Sequence, residues 1–449
     1  MKALILLSLF GFSLLADMSI EEAWRSTQNE NDGMKASHSD VTRAELKKSS
    51  AESMYLPSVS ITGSYTHLSE PVNIDISGFS NKANQILGGL GASSRVPDEL
   101  DLSKQDVFLA DLHLLWPLYV GGKIDAAQDI YAAQVDEAKA LKEMKKDTEF
   151  LKLVKYYYGV VVSKSLYETR KEAQKALTIH YENAKKLKEQ GQIAKIELLN
   201  AKVKLDAAAI DASKAQHKLE IAESALFSLT KQTPNPNSKL FVNENMQTQS
   251  YYKKETQENF AGLRVLDAKA SQSSSLVEIK EAAWMPELAA FGNYNLYKDD
   301  SPIMSTLPTW FAGVMIKIDL LQRKDRSEEV QSARLLNDKV KYLKLEAIEN
   351  LALLVEKTYK EMISDREEFN SLSSSLELAR ENYRLRSVAF KEGLSTSVEL
   401  VDAQMFLMGA QTQRLNAAYN FVQKVSQLSV LSGDREMFFE IRKLSEEIE

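Results

Sequence analysis

Five histidines are the natural starting point for chemistry in this chain, because theirs is the side-chain titration nearest neutrality. They fall at His38, His67, His113, His180 and His217, and no two have the spacing that brings imidazoles onto one metal ion. No serine–histidine–aspartate arrangement and no glycine-rich phosphate loop accompanies them. There is no cysteine, which removes disulfides, thiolate nucleophiles, cysteine metal sites and a lipid-modified N-terminal cysteine together. These residues describe a protein that is not an enzyme and carries no metal and no cofactor. Two groupings keep a suggestive spacing. Asp111 and His113, two apart, would share one face of a strand and add polarity to a wet surface. Glu399 and Asp402, three apart, would share one face of a helix, and by themselves read as two solvated charges.

The elements that must position these residues occur twice. Tyr55-Leu56-Pro57, Gly63 and Tyr65 reappear as Trp284-Met285-Pro286, Gly292 and Tyr294, shifted by 229 (286 − 57). Tyr181, Gly191, Leu198 and Ala201 reappear as Tyr383, Gly393, Leu400 and Ala403, shifted by 202 (393 − 191). A repeat of this length exceeds the solenoid range of about 20–50 residues. It implies two copies of a half-structure in one elongated unit. The first copy carries 27 extra residues (229 − 202) between the two matched regions.

Each copy begins with two alternating segments. Val59, Ile61, Gly63 and Tyr65 oppose Ser58, Ser60, Thr62, Ser64 and Thr66; Phe108, Ala110, Leu112, Leu114 and Trp116 oppose Asp111 and His113. In the second copy Leu288, Ala290, Gly292, Tyr294 and Leu296 oppose Asn293 and Asn295, and Ala312, Val314, Ile316 and Ile318 oppose Lys317 and Asp319. Period-two alternation over about ten residues is the pattern of a membrane β-barrel, with one face on lipid and one on water. Asp111, His113 and Lys317 then line the lumen. Trp116, Trp284 and Trp310 stand at segment ends, where interfacial aromatics belong. Four strands are too few to close a barrel, which needs about eight, so identical chains must share one, and three would supply about twelve. No later stretch approaches the ~18 apolar residues of a transmembrane helix. The run MKALILLSLFGFSLLA at the start reads as a secretory signal peptide.

Long helices follow each strand pair. Residues from Lys123 to Glu189 contain no proline and a single glycine, Gly159, and the second copy matches them from Lys324 to Lys391. Each run would be ~100 Å long at about 1.5 Å per residue, a length suited to crossing the periplasm. Gly191 and Gly393 end these runs, as C-terminal caps do, before alanine- and leucine-rich returning helices. The loop over 68–106 is much longer than the one over 298–309, and long loops of outer-membrane barrels face outside. The helices therefore belong on the periplasmic side. A formal charge of −7 speaks against a nucleic-acid partner.

The sequence resembles the TolC family of outer-membrane efflux ducts along nearly its whole length. The match is carried by Pro-Leu-Tyr-Val-Gly-Gly at 117–122, Gly-Gln-Ile-Ala-Lys-Ile-Glu-Leu-Leu-Asn-Ala at 191–201 and Gly-Leu-Ser-Thr-Ser-Val-Glu-Leu-Val-Asp-Ala-Gln at 393–404. The resemblance implies a membrane α+β fold: a duplicated strand–strand–long helix–helix repeat, assembled as a homotrimer with a twelve-strand β-barrel in outer-membrane lipid. A periplasmic α-helical barrel continues it toward a periplasmic adaptor protein and an inner-membrane pump. It implies a passive exit duct for efflux or type I secretion, with the Gly191 and Gly393 turns facing the adaptor. The family's gate aspartates fall on Glu399 and Asp402, and rings of such carboxylates would favour cations and raise some of their pKa values. The family's latch would map to Phe390, Ser395 and Glu197, the last counted with the acidic gate positions; Phe and Ser lack the donor and the charge that this latch uses. The second copy also has Arg323-Lys324-Asp325 in place of Gly-Gly.

The implied order is a signal peptide over 1–16, an N-terminal periplasmic helix over 17–54, β-hairpin 1 over 55–116 and helical hairpin 1 over 117–232. An equatorial connector over 233–255, packed outside the tube, and a helix over 256–283 lead to β-hairpin 2 over 284–320. Helical hairpin 2 over 321–433 and a charged C-terminal tail over 434–449 complete it. A barrel-anchored coiled-coil stalk or adhesin without transport is the alternative, but sustained heptads and passenger repeats are missing.

Overall fold

The computed structural model describes residues 17–320, 325–392 and 394–447. The signal segment over 1–16, the Arg323-Lys324 pair and the Gly393 turn position lie outside the described residues. The first copy runs α1 (Ile20–Glu30), α2 (Asp32–Glu52), β1 (Ser58–His67), β2 (Asn73–Asp75), α3 (Ser77–Gly89), β3 (Glu99–Asp101), β4 (Asp106–Tyr119), α4 (Lys123–Glu189) and α5 (Lys195–Thr230). After β5 (Phe241–Val242) and α6 (Gln249–Asn259), the second copy runs α7 (Ala261–Glu281), β6 (Glu287–Lys298), α8 (Pro302–Ser305), β7 (Trp310–Lys317), α9 (Arg326–Lys391) and α10 (Ser397–Leu431). Helix α11 (Glu436–Lys443) and β8 (Glu446–Glu447) follow.

The chain divides into two compact units. One comprises Glu45–Gln134 and Ala270–Val340 and holds the large sheet. Its four strands are antiparallel in the order β1-β4-β6-β7. Ile61 faces Leu112, Leu112 faces Tyr294 and Tyr294 faces Trp310 across the ladders; Val59, Leu114, Gly292 and Ala312 make a second row. Ser60, His113 and Asn293 form a third row, and Thr62, Asp111 and Asn295 a fourth. Opposed residues point to the same side of a sheet. The rows collect Val59, Ile61, Leu112, Leu114, Tyr294 and Trp310 on one face; the other carries the polar residues Thr62, Asp111, His113, Asn293 and Asn295 together with Leu115, Phe291 and Phe311. Strands β1 and β7 each pair on one side only, leaving two open edges.

Strand β4 extends past Trp116 to Tyr119, with a register irregularity between Pro117 and Tyr119, because proline cannot donate to the ladder. The turn into α4 is made by Gly121 and Gly122, both left-handed with φ of 67° and 87°. A Cβ on Gly121 would lie 2.5 Å from that of Met285, so glycine is required there twice over. The long loop over 68–106 contains β2, α3 and β3, and the shorter one contains α8.

The other unit comprises the described residues up to Ala44, Val135–Lys269 and those from Lys341 onward. Its core is aromatic: Trp24, Phe150, Tyr157, Tyr158, Phe241, Phe421, Phe438 and Phe439 are all buried in one cluster. Phe150 stacks edge-on against Trp24, Phe438 and Phe439. Burying rings of this size contributes most of the local stability, about 3–5 kcal/mol for each one removed by truncation.

Three expectations drawn from the sequence need correction. The segment over 17–54 is two helices, broken at Asn31, whose side chain accepts the Met34 N–H and so starts a new helix. The connector over 233–255 is not merely external: Leu240 and Phe241 are buried in the core, and Ser238 donates to the Tyr157 hydroxyl at 3.0 Å. The segment from 434 onward is no free tail. Met437, Phe438 and Phe439 plug the core, Arg435 pairs with Glu143 (2.8 Å) and Asp147, and Arg442 reaches Glu21 (2.5 Å). Three adjacent apolar side chains outweigh the charges around them, and the two arginines beside them each find a carboxylate.

Candidate functional site

Helix α4 ends in a two-bond cap: Gly191 N–H donates to the Lys188 carbonyl (3.0 Å) and Gln192 N–H to the Leu187 carbonyl (2.9 Å). Gly191 has φ of 74°, the left-handed value that this cap demands. In the second copy Leu394 N–H donates to the Ala389 carbonyl at 2.8 Å. Donor and acceptor are each displaced by 202 (394 − 192 and 389 − 187), so the repeat reproduces the bond itself.

The two turns differ at the next helix start. Thr396 caps α10: its hydroxyl accepts the Glu399 N–H (3.3 Å), and Thr396 N–H donates to Glu399 Oε2 (2.9 Å). The Ser395 hydroxyl donates to the same carboxylate oxygen (2.8 Å), and Arg386 of α9 lies 3.3 Å from Oε1. The Thr396 backbone bond, then Ser395 and Arg386, hold the Glu399 carboxyl below the usual glutamate range. That is opposite to the rise expected from crowded like charges, because within one chain this carboxylate meets only donors. Asp402 is exposed and has no hydrogen bond or ion pair among the described residues. Glu197 occupies the position matching Glu399 (399 − 202) in the first turn of α5, but the N-cap there is Ala194, which has no side-chain cap. No ion pair or hydrogen bond joins Glu197 to Glu399 or Asp402 among the described residues. Of the positions matched to the family latch, Phe390 stacks edge-on against the buried His180, with ring centroids 5.2 Å apart, and Ser395 serves the α10 cap.

In the sheet, Asp111 is buried and lies between Thr62 and Asn295, while His113 lies between Ser60 and Asn293. Lys317 faces Glu287 across the ladder and lies 3.4 Å from Asp319. The tryptophans occupy both ends of the strands. Trp116 donates to the Tyr55 carbonyl (3.0 Å) and Trp284 packs under Arg326 at the ends next to the long helices. Trp310 opens β7 at the loop end and is exposed.

Sequence reasoning overlooked Arg386 and Thr396. The Thr-x-x-Glu spacing at 396–399 is a capping-box signature and was legible. Arg386 had no local signal, since it meets Glu399 only across the turn.

Comparison with known proteins agrees with this architecture. A family model described as outer membrane efflux protein matches residues 24–230 and 254–434. No curated protein sequence matches the chain. Among solved structures it is similar to CusC, with a TM-score of 0.74 and 12% identity over 94% of this chain and 96% of that one. It is likewise similar to the Campylobacter jejuni CmeC outer membrane channel (TM-score 0.72, 14% identity, 94% and 89% covered). The Neisseria gonorrhoeae MtrE outer membrane channel gives a TM-score of 0.72 at 14% identity, with 93% and 89% covered. The fold is thus that of the TolC-like channels, mostly helical with a small sheet. Matched over most of its length, the chain belongs to the outer membrane efflux protein family and is an efflux channel of the Gram-negative outer membrane that extends into the periplasm.

Proposed function

We propose that this chain is one third of a homotrimeric exit duct, passive in itself and driven by a periplasmic adaptor and an inner-membrane pump. The observation that carries the reading is the four-stranded sheet with one apolar face, one mixed face that holds its polar residues, and both edges open. Unpaired strand edges are costly in lipid, where no water satisfies the backbone, so a sheet of this kind is completed by further copies into a closed barrel. Its polar rows, with Asp111, His113 and Lys317, would line the lumen, and Trp116, Trp284 and Trp310 would mark the two membrane interfaces.

The Gly191 and Gly393 turns are the adaptor-docking tips in this reading. Glu399 and Glu197 stand in the first turns of the returning helices and Asp402 in the second turn of α10, beside those tips, where threefold symmetry makes each a ring of carboxylates. Their shares differ. Glu399 is engaged by Ser395, Thr396 and Arg386, whereas Asp402 is free to meet a passing cation. Asp402 is therefore the stronger selectivity residue and Glu399 the fastening of the gate. The test is single-channel conductance in planar bilayers for wild type and for Glu399→Ala with Asp402→Ala. A small cation-selective conductance that widens or loses selectivity in the double variant supports the gate. Unchanged channels move the gate elsewhere, and no conductance from either protein sinks the duct.

A further inference from the structure

The long loop between β1 and β4 carries a helix mounted with its apolar side outward. The inner side of α3 is held by polar groups: the buried Ser80 hydroxyl donates to Asp98, Asn84 Nδ2 donates to the Val96 carbonyl (2.9 Å), and Asn84 Oδ1 accepts the Val96 N–H (2.7 Å). Those bonds fix the rotation of the helix. Phe79, Ile86 and Leu90 are left 69%, 65% and 78% exposed, and Lys82 shares their side. At ~100° per residue the four positions fall within an arc of roughly 80°. A helix that met only water would be mounted the other way round.

The same loop holds a second uncovered patch. The β1–β4 ladder continues through Leu68 N–H to the Gln105 carbonyl (2.8 Å) and Leu102 N–H to the Val72 carbonyl (2.7 Å) into the β2–β3 ribbon. Ile74 faces Leu100 there, Val72 shares their side, and nearly half of each side chain is exposed. Asp75, Glu99 and Asp101 lie on the opposite side of this two-stranded ribbon. Two different apolar patches on one chain, neither covering the other, suit a head-to-tail contact in a closed ring, where each copy offers one patch to each neighbour. Location and charge favour the same occupant. Strand β1 is an open edge, and β2 follows it after residues 68–72, so a chain completing the sheet at β1 arrives beside the ribbon. Lys82 has no ion-pair partner among the described residues of its own chain, and the ribbon carries three carboxylates on its other side.

We propose that α3 of one copy packs on the β2–β3 ribbon of the next. Phe79, Ile86 and Leu90 cover Val72, Ile74 and Leu100, and Lys82 approaches a ribbon of opposite charge, so the trimer is clasped beyond its shared sheet. This rests on the trimeric reading above. The absence of native cysteine makes the test clean. Phe79→Cys on one tagged chain and Leu100→Cys on a differently tagged chain are co-expressed and mildly oxidised, with the assembly mass read in parallel by native mass spectrometry. The expected product is a covalent dimer bearing both tags, lost on reduction and several-fold scarcer when Lys82→Glu is added. A covalent dimer from Phe79→Cys alone would mean that helix meets helix and would overturn the pairing. An intact trimer with no covalent product also overturns it and leaves that face to lipid. A monomeric mass would instead sink the trimeric reading, and the clasp with it.

Discussion

The two helical hairpins close with the same backbone bond 202 residues apart, yet side chains fasten them differently: in the first, Lys202 of α5 lies over the Tyr181 ring of α4, 5.6 Å from its centroid. Around Gly191 the returning helix starts at Ala194, without a side-chain cap, and Glu197 stands unused. Around the second turn Thr396, Ser395 and Arg386 converge on Glu399. Duplication thus kept what backbone geometry demands and let the polar lock diverge. A cap is worth only about 1 kcal/mol, too little to be needed for folding but enough to bias the movement of a helix end.

The comparison can be broken most severely where strand meets helix. Copy one makes that turn with Gly121-Gly122; the corresponding Arg323-Lys324 of copy two lies outside the described residues. Gly121→Ala adds a Cβ 3.0 Å from the Ala282 carbonyl and closer still to Met285, at a left-handed φ. Strain and overlap together should cost about 3 kcal/mol, read as a lower melting temperature of the purified assembly. A melting temperature unchanged by Gly121→Ala would show that copy one needs no glycine there.

A medium effect is expected on the facing arms. Burial, together with Glu368 and Glu361, pushes the Asp365 carboxyl of α9 up to about 6, against the opposing effect of Lys424; its first-copy counterpart (365 − 202) is the neutral Ser163. A raised carboxyl contributes its full stability below its ordinary value of 3.8 and loses it as pH rises through about 6. Asp365→Asn should therefore stabilise the protein at pH 8 by about 1 kcal/mol, after discounting for partial exposure, and flatten its pH dependence between pH 5 and 8. Equal melting shifts at both pH values would rule out the buried charge as the cause.

The smallest effect sharpens the comparison directly. Thr396→Ala should weaken the start of α10 by about 1 kcal/mol, and Ala194→Thr should strengthen α5 by about half as much. Amide hydrogen exchange over 194–198 and 396–400 would then converge between the copies. Because the folded value of Glu399 is depressed, its contribution is complete above the ordinary 4.5 and is lost as pH falls through the lower folded value. Acid should thus loosen residues 396–400 more than 194–198. Equal protection of the two turns in wild type at pH 7 would refute the asymmetry.

Much was legible in the residues alone. Alternation in Val59–Tyr65 and Phe108–Trp116 specified the two sheet faces, since side chains of a strand must alternate. The repeat shift of 202 recovered the turn bond, which recurs from Gln192–Leu187 to Leu394–Ala389. The Thr396–Glu399 box was written in the sequence and went unread. Other features came from the packed chain only. Arg386 meets Glu399, Phe390 meets His180 and Arg435 meets Glu143 across separations that no local spacing encodes. The burial of Phe438 and Phe439 beside their charged neighbours, and the outward mounting of α3, were decided in the same way. Helix and strand periods are set by bonds between near neighbours, and so the sequence determines them. Which distant side chains then share a surface depends on how whole elements pack, and the tertiary structure decides that.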